Sequence, residues 1–279
     1  MLNQDTMKNR SKPDLSETLY LRYPRLKNLR KLVPDDLIER EVGSRAEEFE
    51  RYLAVARGRI PIVNLNQVFP EELERGAIRL ESFLGNWGNV SVEELSKICL
   101  IVKWLQPERI LELGTYNGLT TLQMALNAPS KCATYTLDLP PDLAASLPLS
   151  RLDELLARQF GKVFKTETGG YFKGRADLNI VQLWGDTANF DYSKIGTPVD
   201  LIFVDAAHDY ENTRRDSDNA FRIVSPRGAI LWHNYADVMY PDVTRSLSEC
   251  AAARRLFQLR NTNLAVYYAP TGLRPQGAG

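Results

Sequence analysis

The sequence predicts an α/β protein: a doubly wound, mostly parallel sheet that ends in an antiparallel hairpin, preceded by a mainly helical N-terminal region. Three observations predict it. From residue 91 onward, short apolar runs alternate with segments of helical or loop character. The runs are continuously apolar rather than alternating with polar residues, as in strands covered on both faces. The last two runs are almost contiguous, and so short a link cannot hold a parallel crossover, so they pair antiparallel. Strand–helix alternation with right-handed crossovers then gives helices on both faces of the sheet.

Residues 1–90 carry the charge-rich stretch "DDLIEREVGSRAEEFERYLAVARGR", in which Leu37, Ile38, Phe49, Leu53 and Val55 recur at loosely helical spacing. The tip "GNWGN" closes this region, which is expected to cover the substrate side of a second domain, 91–279. "RYPRLKNLRK" (22–31) packs five basic residues into ten. A solvated helical face accounts for it more simply than a membrane or nucleic-acid surface. At the start of the second domain, Ser91 and Glu94 have the spacing of a capping box. Val92, Leu95, Cys99, Val102 and Leu105 follow at helical spacing, and Pro107 stops the helix. The strands are "RILEL" (109–113), "ATYTLDL" (133–139), "LNIVQLW" (178–184), "DLIFVD" (200–205), "GAILWH" (228–233), and then "LFQLRNT" and "LAVYYAP". The insertion at 140–177 exceeds what a crossover needs. Such loops serve as lids or binding loops, and a functionless surface excursion is the simpler alternative.

Composition excludes several classes. Of 279 residues, 44% are apolar and 25% charged, the balance of a soluble globular chain with an ample core. Lysine plus arginine equals aspartate plus glutamate at 35 each, so no global field recruits nucleic acid. Cys99, Cys132 and Cys250 are odd in number and scattered, which argues against a disulfide framework and suits a reducing compartment. The N-terminus lacks a signal peptide's apolar core, and no apolar run approaches the roughly 20 residues that span a bilayer. A cytoplasmic protein with no membrane or nucleic-acid partner is expected, and homo-oligomerisation is left open.

The stretch "ILELGTYNGLTTLQMA" (110–125) reads as strand, glycine turn and helix start. Gly114 and Gly118 permit a tight bend and close approach of backbone to a ligand, and amides at the helix start can receive an anionic group. The spacing is E-x-G-x-x-x-G, not the G-x-G-x-x-G of dinucleotide binders. Asp138 ends the next strand, placed to bond ribose hydroxyls, and Asp186 and Asp205 end the third and fourth. Each acid singly could cap a helix instead. Together they line the sheet edge at which open α/β folds bind ligands.

These blocks resemble the class I S-adenosylmethionine-dependent methyltransferases. "LELGTYNGLTTLQMA" is similar to the cofactor loop of catechol O-methyltransferase. "YTLDLP", "WGDT", "VDAAHDYENTRRD" and "SPRGAILWHNY" are similar to successive blocks of the bacterial branch that includes macrolide-sugar O-methyltransferases. The resemblance covers about residues 91–270 and implies a seven-stranded sheet. It implies that Glu112, Gly114, Tyr116, Gly118 and Thr120 surround the methionine part of S-adenosylmethionine. Asp138 would hold its ribose, and Asp186 with Thr187 would border its adenine.

The chain has two histidines, His208 and His233, and each follows a buried run. The resemblance places Asp205, His233 and Asn234 at the magnesium ligands of the catechol enzyme. It places His208, with Asp205 beside it, at the catalytic base. The metal set departs from the pattern, since His233 replaces a carboxylate and the bacterial enzymes usually have an acid at Asn234. An imidazole and an amide suit magnesium poorly, so a softer divalent ion, or none, is an alternative. A hydrogen-bonded His233 that orients Asn234 is another. The expected function is O-methylation of a small hydroxylated metabolite such as a sugar or phenol, with a divalent metal as an optional cofactor. The rivals are an NAD-dependent Rossmann oxidoreductase and a non-catalytic partner subunit of methyltransferase fold.

Overall fold

In a computed structural model the described residues are 34–69, 73, 76–82, 88–144 and 167–269, with Leu19, Arg22 and Tyr23. The basic run at 24–31 and the amphipathic stretch at 150–160 lie outside them, as does part of the "GNWGN" tip.

The strands are β1 Ile62–Val63, β2 Arg109–Leu113, β3 Ala133–Asp138, β4 Ile180–Trp184, β5 Val199–Val204, β6 Val224–Trp232, β7 Leu256–Leu259 and β8 Ala265–Tyr268. They form one sheet in the order β1-β7-β8-β6-β5-β2-β3-β4. Strand β8 is antiparallel to both β6 and β7, and every other neighbouring pair is parallel. The expected closing hairpin is therefore present. The sheet has eight strands rather than seven, because Ile62 and Val63 pair with Gln258 and Leu259 at its edge. Two residues inside a charged, helical-looking region carry no strand periodicity, so this pairing is set by tertiary contact. Strand β6 begins at Val224, ahead of the expected Gly228, with an irregularity in its pairing to β5 near Val199.

The helices are α1 Asp35–Arg57, α2 Val92–Leu105, α3 Leu119–Asn127, α4 Tyr210–Ile223 and α5 Pro241–Cys250, with a single turn at Pro141–Ala144. Helix α2 starts as its sequence requires. The Ser91 hydroxyl accepts from the Glu94 amide at 3.3 Å, and Glu94 accepts the Ser91 amide at 3.0 Å. It ends at Leu105, with Gln106 in the left-handed region just ahead of Pro107.

Alternation along the strands divides the core in two. Ile110, Leu201, Phe203, Ala229 and Leu231 pack with Leu95, Ile98, Leu119 and Met124 of α2 and α3. Leu111, Leu113, Ile202, Val204, Ile230 and Trp232 pack with Ala220, Ile223, Val243 and Leu247 of α4 and α5. A third cluster sets Leu37, Ile38, Val42, Phe49 and Leu53 of α1 against Val238 and Met239, in the loop between β6 and α5. Among the described residues no helix is long and apolar enough to cross a membrane.

Candidate active site at the sheet edge

The glycine turn links β2 to α3. Gly114 has φ +92°, and a Cβ on it would overlap the Asp205 carbonyl oxygen, so its missing side chain lets the tips of β2 and β5 touch. The Asp205 amide donates to the Leu113 carbonyl at 2.9 Å, fixing the same junction. Gly118, φ +79°, caps α3, and a Cβ there would lie 2.5 Å from the Phe172 ring. Tyr116 is left-handed as well, at φ 47°, with its side chain exposed.

Asp138 arrives from β3 and organises this turn. Its Oδ2 accepts the amides of Thr115 and Tyr116, each at 3.0 Å, and its Oδ1 accepts the Leu139 amide at 2.8 Å. Burial pushes the Asp138 carboxyl above its ordinary range, and these three amides offset part of that push. Glu112 lies beneath the turn, 1% exposed, accepting the Thr121 hydroxyl and, at 2.8 Å, that of Thr136. Burial raises its carboxyl to about 8 against those hydrogen bonds, so it is largely neutral at pH 7. Thr120 is buried too. Asn117, inside the turn, has a buried side-chain nitrogen with no hydrogen-bond partner among the described residues. An orphan donor in a glycine cradle fits the polar methionine end of the implied cofactor.

Farther along the edge, Asp186 accepts the Ala188 amide at 3.0 Å and the Asn189 side-chain nitrogen at 2.6 Å. It therefore organises its own turn rather than capping a helix, the following helical turn being capped by Asp191. The Thr187 carbonyl accepts the Tyr192 hydroxyl at 2.6 Å. The described end of the 140–177 insertion lies over the glycine turn. The Gly169 amide donates to the Tyr116 carbonyl and the Tyr171 amide to that of Asn117, both at 3.0 Å. Arg175 ties this cover to Glu81 at 2.7 Å.

The second half of the site is built from charged side chains. Leu231 and Phe203 face α2, so His233 and Asp205, each two residues on, face it also. His233 Nδ1 lies 3.2 Å from Asp205 Oδ1, and its Nε2 lies 3.6 Å from Glu94 Oε2. The first is a hydrogen bond and the second an ion pair without hydrogen-bond geometry. Glu94, 1% exposed, also accepts the Asn263 amide at 2.7 Å and the Ser91 hydroxyl at 2.7 Å. Burial alone lowers the His233 pKa, but Asp205 and Glu94 outweigh it and raise it to about 10. Burial likewise opposes charge on the two carboxyls, and His233 outweighs it, holding both below their ordinary range.

His208 completes the group. Its Nε2 is 2.9 Å from Asn234 Oδ1 and 3.6 Å from Asp205 Oδ1, and its ring stacks on Tyr240 at 4.1 Å. Asn234 stands at φ 58° and is 7% exposed. The His208 side chain is 32% exposed and that of His233 only 9%, so His208 is the imidazole an incoming molecule meets.

Asp205, His208, His233 and Asn234 therefore converge, but not as a metal site. A divalent ion needs free lone pairs, and His233 turns each ring nitrogen toward a carboxylate. The Asn234 oxygen is engaged with His208. Among the described residues no group of three or more His, Cys, Asp or Glu side chains has metal-holding geometry. As arranged, the expected set of Asp205, His233 and Asn234 does not fit a magnesium ion, which demands hard oxygen ligands. Glu94, a helix-cap residue by its sequence spacing, also belongs to this site, because helix α2 covers the face on which Asp205 and His233 lie.

On α1's side of the same edge is a cavity of about 400 Å³ lined by Tyr23, Phe49, Arg57, Ile62, Ala236 and Gln258, among others. Pairing of Trp232 with Ala265, Ala265 with Gln258 and Gln258 with Ile62 puts it level with the end of β6.

Residues 111–235 match the family model described as a methyltransferase domain. No curated protein matches the chain. Similar solved structures include cofactor-bound Rv0187 from MTB, at 20% identity, 79% of this chain, 88% of that chain and TM-score 0.44. An O-methyltransferase from Bacillus cereus in complex with SAH matches at 18% identity, 90% of this chain, 97% of that chain and TM-score 0.43. The O-methyltransferase NovP matches at 15% identity, 64% of this chain, 80% of that chain and TM-score 0.45.

Proposed function

We propose that the chain, whose residues 111–235 match a methyltransferase-domain model, is a class I S-adenosylmethionine-dependent methyltransferase and that it methylates a hydroxyl oxygen of a small metabolite such as a sugar or phenol. The observation that carries this reading is the contact at Gly114. Because that residue has no Cβ, the glycine turn abuts the carbonyl of Asp205, three residues before His208. A ligand cradled by the turn thus lies next to an accessible imidazole.

S-adenosylmethionine, when bound, supplies a sulfonium methyl carbon open to displacement by a nucleophile. In this reading the turn 114–118, the orphan amide of Asn117 and Thr120 hold its methionine end. Asp138 has one lone-pair site left over, on Oδ1, for a ribose hydroxyl, and Asp186 with Thr187 borders the adenine. Asn234 Oδ1 and Asp205 Oδ1 both face His208 Nε2, which favours the proton on that nitrogen and leaves the lone pair on Nδ1. His208 takes the acceptor's hydroxyl proton at Nδ1, and Asp205 stabilises the imidazolium that forms. Tyr240, stacked on the ring, fixes its plane. The cavity beside α1, level with the end of β6, offers room on the acceptor's side, and the cover at 167–177 closes over the cofactor's glycine turn.

Incubation with S-adenosylmethionine and a panel of sugars, phenols and carboxylates tests the reading, scored by the demethylated product and by mass of the acceptor. A gain of one methyl group on a hydroxylated acceptor supports it. Binding heat with a nicotinamide dinucleotide and none with S-adenosylmethionine would replace it with the oxidoreductase.

A further inference from the structure

We propose that His233, held as an imidazolium between Asp205 and Glu94, is the resident cation of this site, standing where the resemblance implies a divalent metal. Glu94 is then a positioning residue that fixes it. The inference rests on the methyltransferase reading for what the cation serves, but not for the cation itself.

The geometry carries it. A carboxylate can only accept, and the two ring nitrogens of His233 face carboxylate oxygens at 3.2 and 3.6 Å. Glu94 is fixed as the anion, because the Asn263 amide, the Ser91 amide and the Ser91 hydroxyl all point at its oxygens. Asp205 is likewise faced by His233 and His208. A neutral His233 would leave one of its nitrogens as a lone pair facing a buried negative charge. Glu112, beneath the glycine turn on the same face, is kept largely neutral at pH 7 by its burial. Among the described residues, two carboxylates around one imidazolium leave one net negative charge, suited to a cationic sulfonium ligand and to a His208 that becomes positive during turnover.

A metal in this place would hold Asp205 and acidify the acceptor directly. The imidazolium does the first of these and not the second. Proton removal then falls to His208, which Asp205 can orient because His233 keeps it ionised and in place. The device needs Glu94, because with Asp205 alone the buried imidazolium would have one counter-charge instead of two.

Two histidines make the test direct, using nitrogen-15 labelling of the full chain's imidazoles and manganese ion as the metal probe. His208→Gln assigns the signals. Both His233 nitrogens are expected to be protonated at pH 7, and micromolar manganese is expected not to broaden them selectively. Glu94→Gln keeps the helix cap, since glutamine serves at that position, but removes the charge. It is expected to lower the pH at which His233 loses its proton by at least about one unit, a tenfold loss of proton affinity. Ser91→Ala weakens the cap without removing the charge, and should leave that pH close to the wild-type value. A neutral His233 at pH 7, selective manganese broadening, or equal shifts in the two variants would overturn the proposal. Titration of the same sample with S-adenosylhomocysteine reads the methyltransferase premise separately. Absence of binding there would contradict the function and leave the imidazolium assignment standing.

Discussion

The two halves of the sheet edge are built from different materials. Around β2, β3 and the glycine turn the cradle is backbone: amides of Thr115, Tyr116 and Leu139 converge on Asp138, and Gly114 opens the contact with Asp205. Around β5 and β6 the site is side-chain charge, running from Glu94 through His233 and Asp205 to His208 and Asn234. Backbone geometry depends on local residue types, whereas charge pairing depends on what packs above. The first half should therefore govern cofactor affinity and the second turnover, and variants can separate the two.

The largest expected effect is on turnover. His208→Ala should reduce kcat by about a hundred- to ten-thousandfold, the usual worth of a general base, with cofactor affinity nearly unchanged. Rapid-quench kinetics with calorimetry on the same variant would check this. An equal loss of affinity would show that the halves are not separable.

The complementary change is Asp138→Ala. It removes the acceptor of three backbone amides, each bond to a charged group being worth about 1.5 to 3 kcal/mol, and after relaxation of the turn the expected loss of S-adenosylmethionine affinity is on the order of ten- to a hundredfold. The rate at saturating cofactor should change far less. Gly114→Ala is a poorer probe, because its Cβ would strike the backbone of β5 and disturb both halves together.

Stability against pH sharpens the contrast. The folded-state pKa of His233 is raised to about 10, above the ordinary imidazole value. Its contribution is thus fully present below about 6.5 and is lost as pH rises through about 10. Wild-type Tm should fall between pH 7 and 10 more steeply than that of His233→Gln, measured by calorimetry in matched buffers. Parallel profiles would mean that the Asp205–His233–Glu94 group adds no pH-linked stability.

The smallest effect belongs to the helix cap. Ser91→Ala should cost about 1 kcal/mol by denaturant unfolding with the slope unchanged. A larger cost would show that Ser91 also supports the Glu94–His233 pair.

Much of the fold was legible because it is written in local pattern. The apolar runs at 109–113 and 200–205, the Ser91–Glu94 box and the close spacing of the last two strands each specify their element within a few residues. Strand β1 was not legible, since Ile62 and Val63 become a strand only by meeting Gln258 and Leu259. In the site, the glycines and strand-end acids could be picked out from the sequence, as could both histidines. Their partners could not, because Glu94 reads as a capping residue until α2 is laid over the face that holds His233. The signal was available in principle: a strand residue two beyond Leu231 must share its face, and the N-terminus of the covering helix is the nearest source of a carboxylate. The side-chain bonds of Asp186, which satisfy its own turn, could be weighed but not decided from sequence.

Isothermal titration of the wild-type chain with S-adenosylmethionine and with its demethylated product tests the central claim most directly, that the glycine turn and its neighbouring acids form a cofactor cradle beside His208. The account predicts saturable one-site binding of both, weakened in Asp138→Ala and retained in His208→Ala. No binding heat with either compound, for a chain shown to be folded, would contradict it.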